Sequence, residues 1–451
     1  MSALSMQAPV SAAPPDKARW PAWYSLVVLT VVTLIAFVDR NILLLQAEVI
    51  RKAMDISDVQ LGLLQGTAAA TFAAVATFPL AWLADRFDRR LVLAGCALLW
   101  SAAVVGCGMA RNYEQLLLAS ALVGAGEAGL VPISYAIIPD LFGERQRQLA
   151  NSVFAMASMS ATSLAMGLCG QVIVGVGSAR AYLPPALADL AAWRLGFFAV
   201  ALPAPLLVVL IATISARRKS AAERVVAKAP EPAILPHLKA NRATFAYFTA
   251  GLFSAFFGFS AIGAWLAVIY LRIYGIQAWQ LGAMLGGVAL FAVVVGLPAS
   301  VYGVRYFRAR IGVRVNIRAL WLNCVVAIIA IAAMAAVSTA RAMVAIHSAY
   351  LVALTATLLV FPSTLQSLAP GKLRARTVAA LGMVVSAGSA MAPPVTGFVS
   401  DHLKSLPNGL MLAAAIVSIP ALALSALLLA RSERHYVVTA EAVRRAEADS
   451  A

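Results

Sequence analysis

Twelve long apolar stretches constrain this chain more than any other feature. They lie at roughly 24–46, 61–82, 91–110, 114–137, 149–176, 195–215, 244–270, 280–303, 319–338, 343–368, 377–400 and 409–430. At about 1.5 Å per helical residue, some ~20 residues cross the ~30 Å hydrocarbon core of a bilayer, and each stretch is long enough to do so. Hydrophobic residues make up 62% of the chain and charged residues 12%, against about 45–50% and 25% in a soluble domain. No water-soluble fold could hide that much apolar surface. The expected fold is an all-α membrane protein of about twelve transmembrane helices, with both termini on one side because the count is even.

The formal net charge of +16 does not mark a nucleic-acid binder, because the basic residues sit in loops rather than along one face. Of the 35 lysines and arginines, 26 fall in the tails and even-numbered loops and 8 in the odd-numbered loops. The positive-inside rule then places both termini in the cytoplasm and the chain in the cell inner membrane. One cation, Arg40, is left inside a span. Residues 1–23 lack the short apolar core and cleavage site of a signal peptide and read as a retained cytoplasmic tail. Cys96, Cys107, Cys169 and Cys324 lie in spans at spacings that match no metal or disulfide framework, and read as small hydrophobes.

The longest hydrophilic stretch, 216–243, carries Arg217, Arg218, Lys219, Arg224 and Lys228 with Pro230, Pro232 and Pro236. It reads as a flexible cytoplasmic linker between an N-terminal half at 24–215 and a C-terminal half at 244–430, with 431–451 a cytoplasmic tail. A weak internal repeat supports the division. Glu127 is followed by Pro132, Gly143 and Arg147-Gln148-Leu149-Ala150; Thr357 is followed by Pro362, Gly371 and Arg376-Thr377-Val378-Ala379. Two pseudo-symmetric six-helix halves are expected.

The loop between the second and third spans reads Ala81-Trp82-Leu83-Ala84-Asp85-Arg86-Phe87-Asp88-Arg89-Arg90, and resembles the major facilitator signature G-x-L-a-D-r-x-G-r-r/k, with Ala81 and Asp88 in place of two glycines. The resemblance implies the major facilitator fold and a cytoplasmic clamp made by Asp85, Arg86 and Arg89, with Arg147 as a partner; a solvated basic turn is the alternative. The matching loop of the second half, Val304 to Arg318, has no acidic residue. Asp39-Arg40-Asn41, the run from Ser57 to Gly66, and Gly124-Ala125-Gly126-Glu127-Ala128-Gly129 are similar to the D-R, S-D-x-Q-x-G-L-L-x-G and G-x-G-E-A motifs of the spinster-like branch. That likeness implies a lysophospholipid or sphingoid-like substrate. Ser120 stands where superfamily members often carry an arginine.

A charged side chain within a span costs at least ~2.5–3.5 kcal/mol on insertion scales, so it usually faces a cavity and has a role. Asp39 and Arg40 are adjacent, hence about 100° apart around their helix. Glu127 lies near the middle of the fourth span among Gly124, Gly126 and Gly129, which permit close helix approach. Desolvation favours its neutral form and a neighbouring Arg40 its charged form, the opposition a proton-coupled carrier needs. Glu127, Asp39 and Arg40 are therefore the candidate proton-coupling residues. A static ion pair is the alternative for Glu127 with Arg40, and a place in the solvated cavity mouth for Asp39. Arg40, Gln65, Ser134, Tyr135, Phe253, Phe257 and Thr357 are candidates for the substrate cavity, although polar residues in spans are commonly helix–helix hydrogen bonds and aromatics lipid contacts.

No G-x-x-x-x-G-K-[ST] loop is present, which argues against primary pumping. The four histidines do not cluster, and no metal-ligand or nucleophile-and-base spacing appears in the spans, so neither an enzyme nor a cofactor is expected. No repeated polar pore lining points to a channel. The expected function is proton-coupled secondary transport of a small or amphiphilic organic substrate by alternating access, by a monomer in the bilayer. A passive uniporter or organic-anion transporter is the alternative, with Glu127 and Arg40 purely structural.

Overall fold

The structure, a computed structural model, describes residues 20–215 and 234–449, so most of the linker and the outermost residues of both tails lie outside the described residues. Among the described residues, twelve helices are long and apolar enough to cross a membrane: α1 (Trp20–Met54), α2 (Asp58–Arg86), α3 (Arg89–Met109), α4 (Tyr113–Leu141), α5 (Gln146–Tyr182), α6 (Ala192–Ala212), α7 (Arg242–Arg272), α8 (Ala278–Ile311), α9 (Arg314–Ala336), α10 (Ala340–Gln366), α11 (Arg376–His402) and α12 (Gly409–Arg445). Within the first half α1 packs on α5 and α6, and α4 on α2 and α3. Within the second, α7 packs on α11 and α12, and α10 on α8 and α9. Each arrangement repeats the other six helices later. The halves meet along α2 with α11 and α5 with α8. The end where α1 begins and α12 finishes is called the terminal end here, and the opposite end the distal end.

Helices outrun their apolar cores wherever a buried stripe continues. The last helix runs on to Asp449, through residues that hydropathy assigns to the tail. Tyr436, Thr439, Ala440 and Val443 recur at helical spacing and are buried. Thr439 shares a 2.8 Å hydrogen bond with Thr244 on α7, and Tyr436 a 2.7 Å bond with Ser367 after α10.

Two irregularities shape the first half. α4 is interrupted directly after Glu127, as Tyr113–Glu127 followed by Leu130–Leu141. Pro132 has no N–H for the carbonyl of Ala128, so the bond that would bridge the break cannot form. α10, with Pro362 at the matching place, stays one helix. α2 contains a π-helical turn, Leu63–Thr67, and turns of this kind are frequent at functional sites. Close approach explains Gly124: a Cβ there would lie 2.2 Å from the carbonyl oxygen of Ala69 on α2.

Candidate functional site

Asp39, Arg40, Gln65 and Glu127, far apart in sequence, meet at mid-depth in the first half. Asp39 is only 3% exposed; the Trp100 indole of α3 donates to its Oδ2 at 3.2 Å, and its Oδ1 has no partner. Arg40, one residue on, points to a different side of α1 and is exposed. Gln65 sits in the π turn with both amide atoms buried and unpartnered, as is Oε1 of Glu127. A cavity of ≈ 110 Å³ is lined by Asp39, Arg40, Gln65, Ser120 and Glu127. A second of ≈ 150 Å³ shares Arg40, Ala69 and Glu127 with it and adds Phe37 and Gly124. Arg40 and Glu127 thus border both spaces. They form no ion pair within 4.0 Å, although both line the same cavity as Asp39. Buried polar atoms without partners are costly unless water or a ligand reaches them, and the cavity has room for water. Ser120, in the place of the superfamily arginine, lends no charge: its hydroxyl donates to the carbonyl of Leu64 at 3.2 Å.

The other cavity candidates fall elsewhere. Ser134 and Thr357 are buried and donate to carbonyls of their own helices, Leu130 and Ala353. Tyr135 is 38% exposed and meets Phe154 edge-on. Phe253 and Phe257 stack on one another and line a groove walled by α7, α11 and α12 alone, apart from the cavity of the first half.

At the terminal end, Asp85 is exposed and makes no hydrogen bond or ion pair among the described residues. Arg86 lies 4.2 Å over the Trp82 ring. Arg89 pairs with Asp140 of α4 at 2.6 Å and donates to the Ala136 carbonyl. Asp88, standing for a signature glycine, caps α3 and pairs with Arg90 at 2.8 Å. Arg147 is half-buried, and its Nε finds no partner. The arginine contacts of this loop bind α3 to α4 and lie within one half.

Sequence reasoning missed the site at the distal end, where the two halves are tied together. Arg272, closing α7, donates to both oxygens of Asp58 at 2.8 and 2.9 Å and to Glu48 at 2.8 Å. Arg51 also grips Glu48, at 3.0 Å. From α11, Ser400 donates to Asp58 at 2.7 Å. Asp401 accepts the free backbone N–H groups of Asp58 and Val59 at the start of α2, at 3.2 and 3.1 Å, a capping role filled from the other half. Below this, Gly62 meets the α11 backbone: a Cβ on it would lie 2.6 Å from the Pro393 carbonyl oxygen. The two halves are tied together here.

Two six-helix halves, tied together at one end around a charged cavity at mid-depth, are the architecture of a secondary carrier. The family model of the Major Facilitator Superfamily matches residues 29–369, and the chain belongs to that superfamily: it is a multi-pass membrane transporter and not an enzyme. Among curated proteins it is similar to an MFS-type efflux pump of Mycolicibacterium smegmatis, 31% identical over 33% of this chain and 36% of the relative. It is also similar to protein spinster homolog 3 of Danio rerio, 32% identical over 30% and 27%, and to the sphingosine-1-phosphate transporter SPNS2 of the same organism, 36% identical over 24% and 22%. The chain thus matches about a third or less of the length of these relatives. Among solved structures, a bacterial homologue of the human lysosomal transporter Spinster, inward-facing and unoccupied, shares the fold with a TM-score of 0.73 at 21% identity, covering 95% of this chain and 99% of that one. A D-xylose–proton symporter does so with a TM-score of 0.65 at 14% identity, over 89% and 97%.

Proposed function

We propose that this chain is a proton-coupled secondary transporter of an amphiphilic or small organic substrate, with Glu127 as the proton site and Arg40 as the group that reads its charge. The observation that carries the reading is a buried, unpartnered carboxylate oxygen on Glu127 in a cavity shared with an unpaired arginine. When Glu127 is ionised it holds the field of Arg40; when protonated it releases that field to an anionic group or to a different helix arrangement. Asp39, fixed by Trp100, is the second carboxylate of the cluster and keeps Arg40 from being balanced by Glu127 alone. The likeness of short segments to spinster homologues and to a sphingosine-1-phosphate transporter supports a lysolipid or sphingoid-like substrate. With the termini in the cytoplasm, the tied distal end faces outward.

The test is Glu127→Gln, which keeps size and hydrogen bonding but fixes the neutral form. In proteoliposomes with a fluorescent lysophospholipid and an imposed pH gradient, uphill accumulation collapses. Binding persists and loses most of its pH dependence, because the titrating group that links the two equilibria is gone. Uphill transport at the normal rate by the variant overturns the assignment to Glu127. Wild-type flux that ignores the gradient makes the chain a passive uniporter.

A further inference from the structure

A cavity larger than the two at Arg40 and Glu127 lies outside the cluster just described. It is a groove of ≈ 870 Å³, floored by one face of α7 from Phe245 to Phe257 and walled by Val384 of α11 and the α12 segment from Pro420 to Leu428. Helix α7 turns its packed faces to α10 and α12 through Phe256, Phe259 and Phe248, which meet Phe361, Tyr350 and Tyr436. Toward α11, Ser260 donates to Ser389. The groove is what remains between α11 and α12, and Leu424 in its wall is 50% exposed. Its lining is aromatic and aliphatic apart from two hydroxyls. One of these, on Ser254, is already spent on the Ala421 carbonyl at 2.8 Å.

Its length and its ends set it apart from ordinary lipid-facing surface. From Phe245 to Phe257 is about 18 Å of helix rise, close to one leaflet of a ~30 Å core. Arg242 opens α7 one turn before Phe245 and Ala246 on the same face, and Arg431 stands one turn beyond Leu428 on α12. Both arginines are exposed, and neither forms an ion pair among the described residues. An apolar slot of one-leaflet depth, with two unengaged guanidinium groups at its headgroup end, matches the acyl chain and phosphate of one molecule. Basic pockets between membrane helices bind anionic headgroups by this combination.

We propose that this groove is a binding site for an anionic phospholipid of the surrounding bilayer, its acyl chain lying along Phe253 and Phe257 and its phosphate held by Arg242 and Arg431. The site is separate from the cluster at Glu127, so it stands or falls independently of proton coupling.

The experiment uses the full chain with a reporter tryptophan installed by Ala250→Trp on the groove floor, reconstituted with brominated phosphatidylglycerol or brominated phosphatidylcholine. The reporter's signal is the difference from the wild type, whose eight native tryptophans set the background. The reporter is quenched preferentially by phosphatidylglycerol. Each of Arg242→Gln and Arg431→Gln lowers that preference roughly five-fold, while Arg242→Lys keeps most of it. A Leu118→Trp reporter, on exposed surface of α4, shows no headgroup preference and reports the general annulus. Equal quenching by the two lipids at Ala250→Trp, or a preference that survives loss of both arginines, overturns the proposal. Should Ala250→Trp disturb folding, mass spectrometry of lipids retained by the unlabelled wild type and by the double arginine variant tests the same site: the wild type retains more phosphatidylglycerol, and equal retention overturns the proposal.

Discussion

The two ends of the bundle handle charge in opposite ways. At the distal end, Glu48, Asp58 and Asp401 are satisfied across the halves by Arg272 and Ser400 and by the backbone that opens α2. At the terminal end, Arg89 and Asp140 pair inside one half, and Asp85 stands in the open. The charge-assisted contacts between the halves described here are therefore concentrated in a few residues at one end. Opening that end breaks a cluster of charge-assisted hydrogen bonds at once. A carrier so built has a well-defined closed end.

Arg272→Gln is the strongest way to break the contrast. It leaves Glu48 and Asp58, only 5% and 2% exposed at their side chains, without their cross-half cation. Removing one partner of a buried pair costs about 3–5 kcal/mol. Spin labels placed across the distal end should move from a short to a long distance, and an unchanged distribution would show that helix packing, not the ion pairs, holds the seal. A smaller effect is expected from Asp401→Ala, which strips the cap from α2 and costs about 1 kcal/mol. The distal-open fraction then rises about five-fold, read by the same distances. The least disturbance should come from Asp85→Asn. In this conformation the change stays within about 0.5 kcal/mol, as for other exposed positions. A clear drop in melting temperature would reveal a partner for Asp85 and erase the difference between the ends.

How much of this was legible in the sequence depends on whether a residue's meaning is local. The spans were, because bilayer thickness fixes the length of an apolar run whatever it packs against. Glu127, Arg40 and Asp39 were, because a charge inside such a run is anomalous without knowledge of its neighbours. Arg272 was not: a lone arginine at a span end looks the same whether it is solvated or clamped to a carboxylate 214 residues away. Asp58 carried a usable signal, since Ser57 and Gln60 frame it as a capping box, the mark of a helix start held in place. Phe253 and Phe257 mark the opposite limit. Composition showed an aromatic helix, but which of its faces lines a groove is settled only by where α11 and α12 part.

The π turn in α2 has a consequence for how the two halves can be fitted together. Five residues there occupy the rise of roughly four, so the helix carries one position more than its length requires. That spare position rotates everything after it by about 100°. The part before it is phased so that Gly62 abuts Pro393, and the part after it so that the Ala69 carbonyl seats against Gly124. A straight α-helix could be set for one of these partners only. The turn works as a vernier, letting one rod keep register with two neighbours cut to different scales, and deleting a single residue from Leu63–Thr67 would force α2 to choose between its own half and the other.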